Sequence, residues 1–315
     1  MKNSNKSIQQ YVSDFLDWID VEKGLSSKTQ ENYSRFLKRF FVWLEEKKIL
    51  DLKPHELTPE HIWEYRIYLA HKTHSRRTAT SLKKSTQNYY LIVLRSLLAY
   101  FVERNIPSLP PEKVKLARDK DDKEIRFLTL EQLEKLFFVP DISSPAGVRD
   151  RAILETFFST GMRVSELVAL NLDQVRSSLH LDSLELGIVG KGGRTRTVYF
   201  SKRVLSWIEK YLEMRGDFEE PLFINYRYPK TSSRRLSVKS IENLVKRYAL
   251  RAGLPKNTTP HVLRHSFATD LLNKGVDIRI LQEFLGHKSI TATQIYTHVT
   301  SKKLREIHKK FHGTI

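Results

Sequence analysis

The sequence predicts a mainly α-helical chain with one small β-hairpin, divided into two domains. Three observations carry this. Apolar residues recur at helical spacing through residues 7–105 and again over 201–312, two short β-rich runs bracket a glycine-rich turn, and a proline-then-charge stretch separates the halves. In the first half Ile8, Tyr11, Val12, Phe15 and Ile19 line one face of a helix that Gly24 ends. A second helix starts at Ser26 or Ser27 and carries Phe36, Leu37, Phe40, Trp43 and Leu44. Thr58-Pro59-Glu60 reads as a cap followed by proline at the first helical position, and it opens a third. Ser85 is the expected cap of a fourth, which runs through Tyr89, Leu97 and Phe101.

The helical pattern breaks between Asn105 and Phe127, where Pro107, Pro110 and Pro111 precede a run of mixed charge. The expected division is a helical domain at 1–108, a linker at 109–125 and a mixed α/β domain at 126–315. In that second domain Thr129 looks like a helix start, and a long helical pattern covers Arg149 to about Leu167. Leu184–Val189 and Thr195–Phe200 flank Gly190-Lys191-Gly192-Gly193-Arg194 and predict the hairpin.

Composition narrows the function classes. Zero cysteines exclude disulfides, thiolate zinc sites, iron–sulfur clusters and cysteine nucleophiles. Lys and Arg number 54 against 36 Asp and Glu, a net +18 among 315 residues that favours a polyanionic partner, nucleic acid foremost. Both halves share the excess, with 18 basic against 12 acidic residues up to Pro110 and 36 against 24 beyond. No apolar run reaches the roughly 18 residues of a membrane span, and the N-terminal residues carry no export signal, so the expected location is cytoplasmic.

Four segments of the second half could carry chemistry. In Thr160-Gly161-Met162-Arg163-Val164-Ser165-Glu166-Leu167, the spacing would set Glu166 beside Arg163 on a helix. Lys191 sits on the glycine turn, followed by Arg194 and Arg196, within reach of a phosphate backbone or a leaving oxygen. In Thr259-Pro260-His261-Val262-Leu263-Arg264-His265, a capped helix start puts His261 and Arg264 on one face beside anion-attracting amides. His261 and His265 have zinc-ligand spacing, but Val262 stands where a zinc protease needs glutamate, so no metal is assigned. Finally Leu285-Gly286-His287 breaks a helix nine positions before Tyr296.

Taken singly, each segment reads as well as ordinary surface or core. Together, two arginines, a lysine, two histidines and a tyrosine are what metal-free phosphodiester cleavage requires. Fixed cations stabilise the charge on the non-bridging oxygens, and the tyrosine attacks phosphorus. A free phenol has a pKa of about 10, so a base must help remove its proton.

On these motifs, with Ile295-Tyr296-Thr297-His298-Val299 and the N-terminal Gly24-Leu25-Ser26-Ser27-Lys28-Thr29, the chain resembles the tyrosine recombinases, or phage-type integrases, and within them the Xer-like site-specific recombinases. The resemblance spans nearly the whole chain. It implies a two-domain DNA clamp, with a SAM-like core-binding domain joined to a catalytic domain. It also implies that Arg163 and Arg264 hold the phosphate, Glu166 supports Arg163, and Tyr296 is the nucleophile. His261 would take its proton or help hold the phosphate, His287 would bind a non-bridging oxygen, and Lys191 would protonate the departing 5′ oxygen.

Further implications are a 3′-phosphotyrosine, a Holliday junction, and neither cofactor nor metal. The expected partners are double-stranded DNA carrying a specific site and three more protomers, in a homotetramer or a heterotetramer with a second recombinase on two duplexes. A DNA translocase is the expected kind of activator, and chromosome dimer resolution the expected role. An amphipathic tail at 301–312, with Leu304, Ile307 and Phe311 on one side, would dock on the neighbouring protomer. Candidate DNA contacts are Arg76, Arg77, Lys83, Lys84, Arg194, Arg234, Arg235 and Lys239. Competing readings are a mobile-element integrase, a type IB topoisomerase, and a non-catalytic regulator with a helix-turn-helix around Gly275-Val276-Asp277 and Gly286.

Overall fold

The computed structural model describes residues 3–71, 82–117, 126–190, 193, 195–227, 234–286 and 293. The chain divides into two compact units, Met1–Asp122 and Lys123–Ile315.

Among its described residues the first unit has helices and no strand. A 3-10 turn at Ile8–Tyr11 leads into α1 (Val12–Val21), followed by α2 (Ser27–Glu46), α3 (Pro59–His71) and α4 (Lys84–Glu103). Gly24 adopts φ +58° and closes the turn after α1, where a left-handed residue costs glycine little. The expected cap of α4 is corrected. Lys83, with extended backbone, is its N-cap, and Ser85 lies inside the first turn. Phe15, Trp18, Phe40, Trp43, Tyr65, Leu97 and Phe101 fill the core, so each helix buries the stripe its periodicity marked.

Part of the stretch expected as linker from residue 109 packs against this unit. Leu109 and Val114 are buried in this same core, and Asn88 on α4 exchanges two 2.9 Å hydrogen bonds with the backbone of Ala117. The helix ends at Glu103, ahead of the left-handed Asn105 at φ +56°, and the prolines that follow do not free the chain.

The second unit is built around α6 (Pro145–Thr160). Ser144 caps it, its hydroxyl accepting from the Gly147 amide at 3.1 Å, with Pro145 at the first position. The helix begins four residues before the periodic pattern, which breaks into two helices at Gly161. That glycine takes φ +58° and ends α6, and a second helix, α7, covers Val164–Ala169.

The other helices are α5 (Leu130–Phe138, with a Thr129–Gln132 capping box), α8 (Asp173–Arg176), α9 (Lys202–Arg215), α10 (Val238–Arg251), α11 (Pro260–Asn273) and α12 (Ile278–Leu285). The antiparallel hairpin pairs β1 (Ser183–Val189) with β2 (Thr195–Ser201), Leu184 opposite Phe200 and Ile188 opposite Arg196. From Val148 to Phe157 every residue of α6 is buried, because α9, α11 and β2 pack around it. Among the described residues no helix is long and apolar enough to cross a membrane.

Candidate active site

Two chain breaks and one helix start assemble the site. The left-handed Gly161 turns the chain out of α6, so that Arg163 becomes the N-cap of α7 with extended backbone. The spacing does set Glu166 beside Arg163, and because Arg163 is the N-cap the carboxylate reaches both its backbone and its side chain. The Arg163 amide donates to Glu166 Oε2 at 2.6 Å, while its Nη1 donates to Oε1 at 3.0 Å.

Glu166 is buried, with 3% of its side chain exposed, and it holds a second cation. Arg196 of β2 donates to it through both terminal nitrogens, at 2.7 and 2.8 Å, and through Nε to the Phe284 carbonyl at 3.1 Å. Burial alone would raise the Glu166 pKa, but hydrogen bonds from Arg196 and from the Arg163 backbone, with the Arg196 charge, hold it below the usual carboxylate range. One carboxylate thus stays ionised between two guanidiniums.

From the other side α11 supplies Arg264. Thr259 caps this helix and Pro260 begins it, as the sequence predicts, which puts His261 second and Arg264 one turn on. Arg264 is buried and donates to the carbonyls of Gly161, at 2.6 Å, and Leu285. Arg163 Nη2 reaches the next carbonyl, that of Gly286, at 3.3 Å. The two arginines meet at the end of α12, which the left-handed Gly286 closes as expected. His261 lies in the field of both. Loss of hydration lowers its pKa first, and the charges of Arg264 and then Arg163 lower it further. Its ring stacks on His265 at 5.7 Å between centroids. The His265 pKa is pushed down to about 4 by burial, then by His261 and Arg264.

The described part of the site therefore brings together Arg163, Glu166, His261 and Arg264. Lys191, His287 and Tyr296 lie outside the described residues, as do Arg76, Arg77, Arg194 and the tail 301–312.

Of the candidate DNA contacts that are described, Lys83 and Lys84 are exposed at the start of α4, and Lys239 is exposed in the first turn of α10, 3.2 Å from Glu242. Arg234 and Arg235 are engaged within the fold. Arg234 is 6% exposed and binds Glu219, Asp217 and the Asn225 carbonyl. Arg235 donates to the carbonyls of Val168 and Leu170 and to Asn171.

Arg196, expected within reach of a phosphate backbone, is also engaged within the fold, on Glu166 and the Phe284 carbonyl. Strand alternation carried the signal, since Arg196, Val198 and Phe200 share the inward face. Sequence reasoning also missed Phe267, whose ring would stand 2.4 Å from a Cβ at Gly161 and so requires glycine there.

Comparison with known proteins agrees with this architecture. Residues 126–303 match the phage integrase family, and residues 12–108 match the N-terminal SAM-like domain of phage integrases. The chain is 33% identical to tyrosine recombinase XerD of Lacticaseibacillus casei over 308 residues, covering 96% of this chain and 98% of that protein. It is 35% identical to tyrosine recombinase XerC of Leptospira interrogans over 315 residues, covering 98% and 95%. Its fold matches that of XerH site-specific recombinase bound to a difH substrate with a TM-score of 0.71, at 22% identity, covering 98% of this chain and 96% of that one.

The chain belongs to the phage integrase family, the tyrosine recombinases. Within that family of enzymes it stands with the Xer type of site-specific recombinase.

Proposed function

We propose that this enzyme cuts and rejoins DNA at a specific site through a 3′-phosphotyrosine on Tyr296 and a Holliday junction, and that its cellular role is chromosome dimer resolution. The observation that carries the reading is the convergence of Arg163 and Arg264 on the adjacent carbonyls of Gly286 and Leu285, with His261 in the field of both. Such fixed donors suit a phosphoryl group whose oxygens gather charge as it transfers.

In this mechanism Tyr296 Oη attacks the scissile phosphorus, and His261 takes its proton or helps hold the phosphate. Depressed basicity keeps His261 neutral near pH 7, as a base must be. The 5′ oxygen leaves with a proton from Lys191, while Arg163, Arg264 and His287 hold the non-bridging oxygens. Glu166 fixes the Arg163 guanidinium. The bond energy is kept in the phosphotyrosine, so that a 5′-hydroxyl can reverse the reaction.

Residues 1–108 serve as the core-binding domain and 126–315 as the catalytic domain. Lys83, Lys84 and Lys239 touch DNA. Four protomers act on two duplexes, and the tail at 301–312 docks on a neighbour. The test is recombination between two copies of the cognate site on one plasmid, in EDTA and without ATP. Two product circles are expected. A requirement for Mg²⁺ or ATP, or supercoil relaxation on a plasmid without the site, would contradict the reading.

A further inference from the structure

At the end of α6 remote from Arg163 lies a cavity of about 390 Å3, and its walls are basic. Arg149, Arg227, Arg247 and Arg251 line it against two carboxylates, Asp141 and Asp150. The carboxylates are occupied. Asp150 is buried and accepts from Arg149 Nε at 2.8 Å, Tyr248 Oη at 2.8 Å and Arg247 Nη2 at 3.3 Å, while Asp141 accepts from the amide and hydroxyl of Ser143. Arg149 is buried and held by the Ile224 carbonyl as well. Arg227 and Arg251 are exposed at the rim, and neither side chain has a partner among the described residues.

The guanidinium of Arg149 is spent on Asp150 and the Ile224 carbonyl, so the donors left for an anion that takes several at once are those of Arg227 and Arg251. The capped first turn of α6, with Ser144, Ala146 and Gly147 on the wall, turns the positive end of a sixteen-residue helix toward the same space. We propose that this cavity is a second phosphate-recognition site, separate from the Arg163–Arg264 pair by the length of α6, about 24 Å at 1.5 Å per residue. Its occupant is either a backbone phosphate of the DNA on which the enzyme acts or the phosphate of a free nucleotide. The first source rests on the DNA-binding function proposed above; the second does not.

The test uses the full chain and the double variant Arg227→Gln/Arg251→Gln, which removes two guanidiniums that have no partner among the described residues. In the first arm, binding to a duplex carrying the site is measured across salt concentrations. If the phosphate belongs to DNA, the slope of log affinity against log salt falls by about 0.9, the value for one phosphate no longer neutralised, while the bound duplex is still cleaved. In the second arm, inorganic pyrophosphate is titrated into Arg163→Ala protein, which weakens the grip of the catalytic pocket, and into the same protein carrying the double variant, which isolates the contribution of the cavity. If the phosphate is free, pyrophosphate raises the Tm by several degrees and the added double variant abolishes the rise.

Either result supports the site and names the source. An unchanged slope together with no pyrophosphate-dependent rise overturns it. Arg247→Lys, which keeps a charge beside Asp150 but loses the guanidinium fork, should give part of the same loss. If wild-type protein cleaves no duplex, the proposed function has failed, and the pyrophosphate arm alone decides the site.

Discussion

The buried carboxylate of Glu166 is shared between Arg196, which grips it with both terminal nitrogens at 2.7 and 2.8 Å, and Arg163, which reaches it at 3.0 Å. Arg196 has 9% of its side chain exposed and Arg163 26%, so the inner arginine completes the charge balance and the outer one faces the open side of the pocket. Arg163 is held in place before any substrate arrives.

That relationship makes Glu166→Gln informative. Removing one member of a buried ion cluster leaves the others uncompensated, at a cost of about 3–5 kcal/mol. Unfolding in urea should show a loss of that order, and single-turnover cleavage should fall with it in the folded fraction. Because the folded pKa of Glu166 is depressed, its contribution to stability is full above the ordinary carboxylate range and is lost as pH falls through the folded value. The variant should therefore unfold with a shallower acid dependence than the wild type, and an unchanged acid limb would remove Glu166 from this role.

Arg163→Ala should lower cleavage by roughly 10²–10³-fold while costing far less in duplex affinity, because the donor meets charge that develops during transfer. Parallel gel-shift and cleavage assays check this. Equal losses in both would make Arg163 a general anchor.

At Gly161 a methyl group has no room. Its Cβ would lie 2.4 Å from the Phe267 ring, and the backbone at φ +58° is strained for an L side chain. Gly161→Ala should cost at least about 1–3 kcal/mol. It should also slow cleavage, since the Gly161 carbonyl orients Arg264. Gly161→Ala/Phe267→Leu, with more space beside the turn, should recover part of the stability; no recovery would show that the backbone alone is responsible.

His265 titrates near 4 in the folded chain and near 6.5 when unfolded, so the unfolded state binds more protons between these values. Stability is complete above about pH 6.5 and declines toward pH 4, by on the order of 2 kcal/mol after allowing for the solvent that still reaches the ring. In His265→Asn the decline over this window should shrink, as followed by thermal unfolding at successive pH values.

Legibility in the sequence followed local chemistry. Thr259-Pro260 and Gly286 act through their own backbone preferences, so the start of α11 and the end of α12 were readable. The start of α6 carries a local signal of the same kind, Ser144 followed by Pro145, four residues ahead of the buried run that marks the rest of the helix. Arg196, Arg234 and Arg235 look like DNA-facing cations in a basic chain, yet their partners, Glu166, Glu219 and the carbonyls of Val168 and Leu170, lie 15 to 67 positions away. Only tertiary folding brings such groups together. Leu109 and Val114 show the converse, a proline-rich segment that reads as linker and is held by core packing.

The most direct measurement is trapping on a nicked duplex that loses its 5′ fragment once cut, followed by denaturing electrophoresis and mass spectrometry of the linked peptide. Wild-type protein should yield a covalent species joined at Tyr296, absent from Tyr296→Phe although that variant still binds the duplex. A species that persists in Tyr296→Phe, or linkage at another residue, would contradict the assignment.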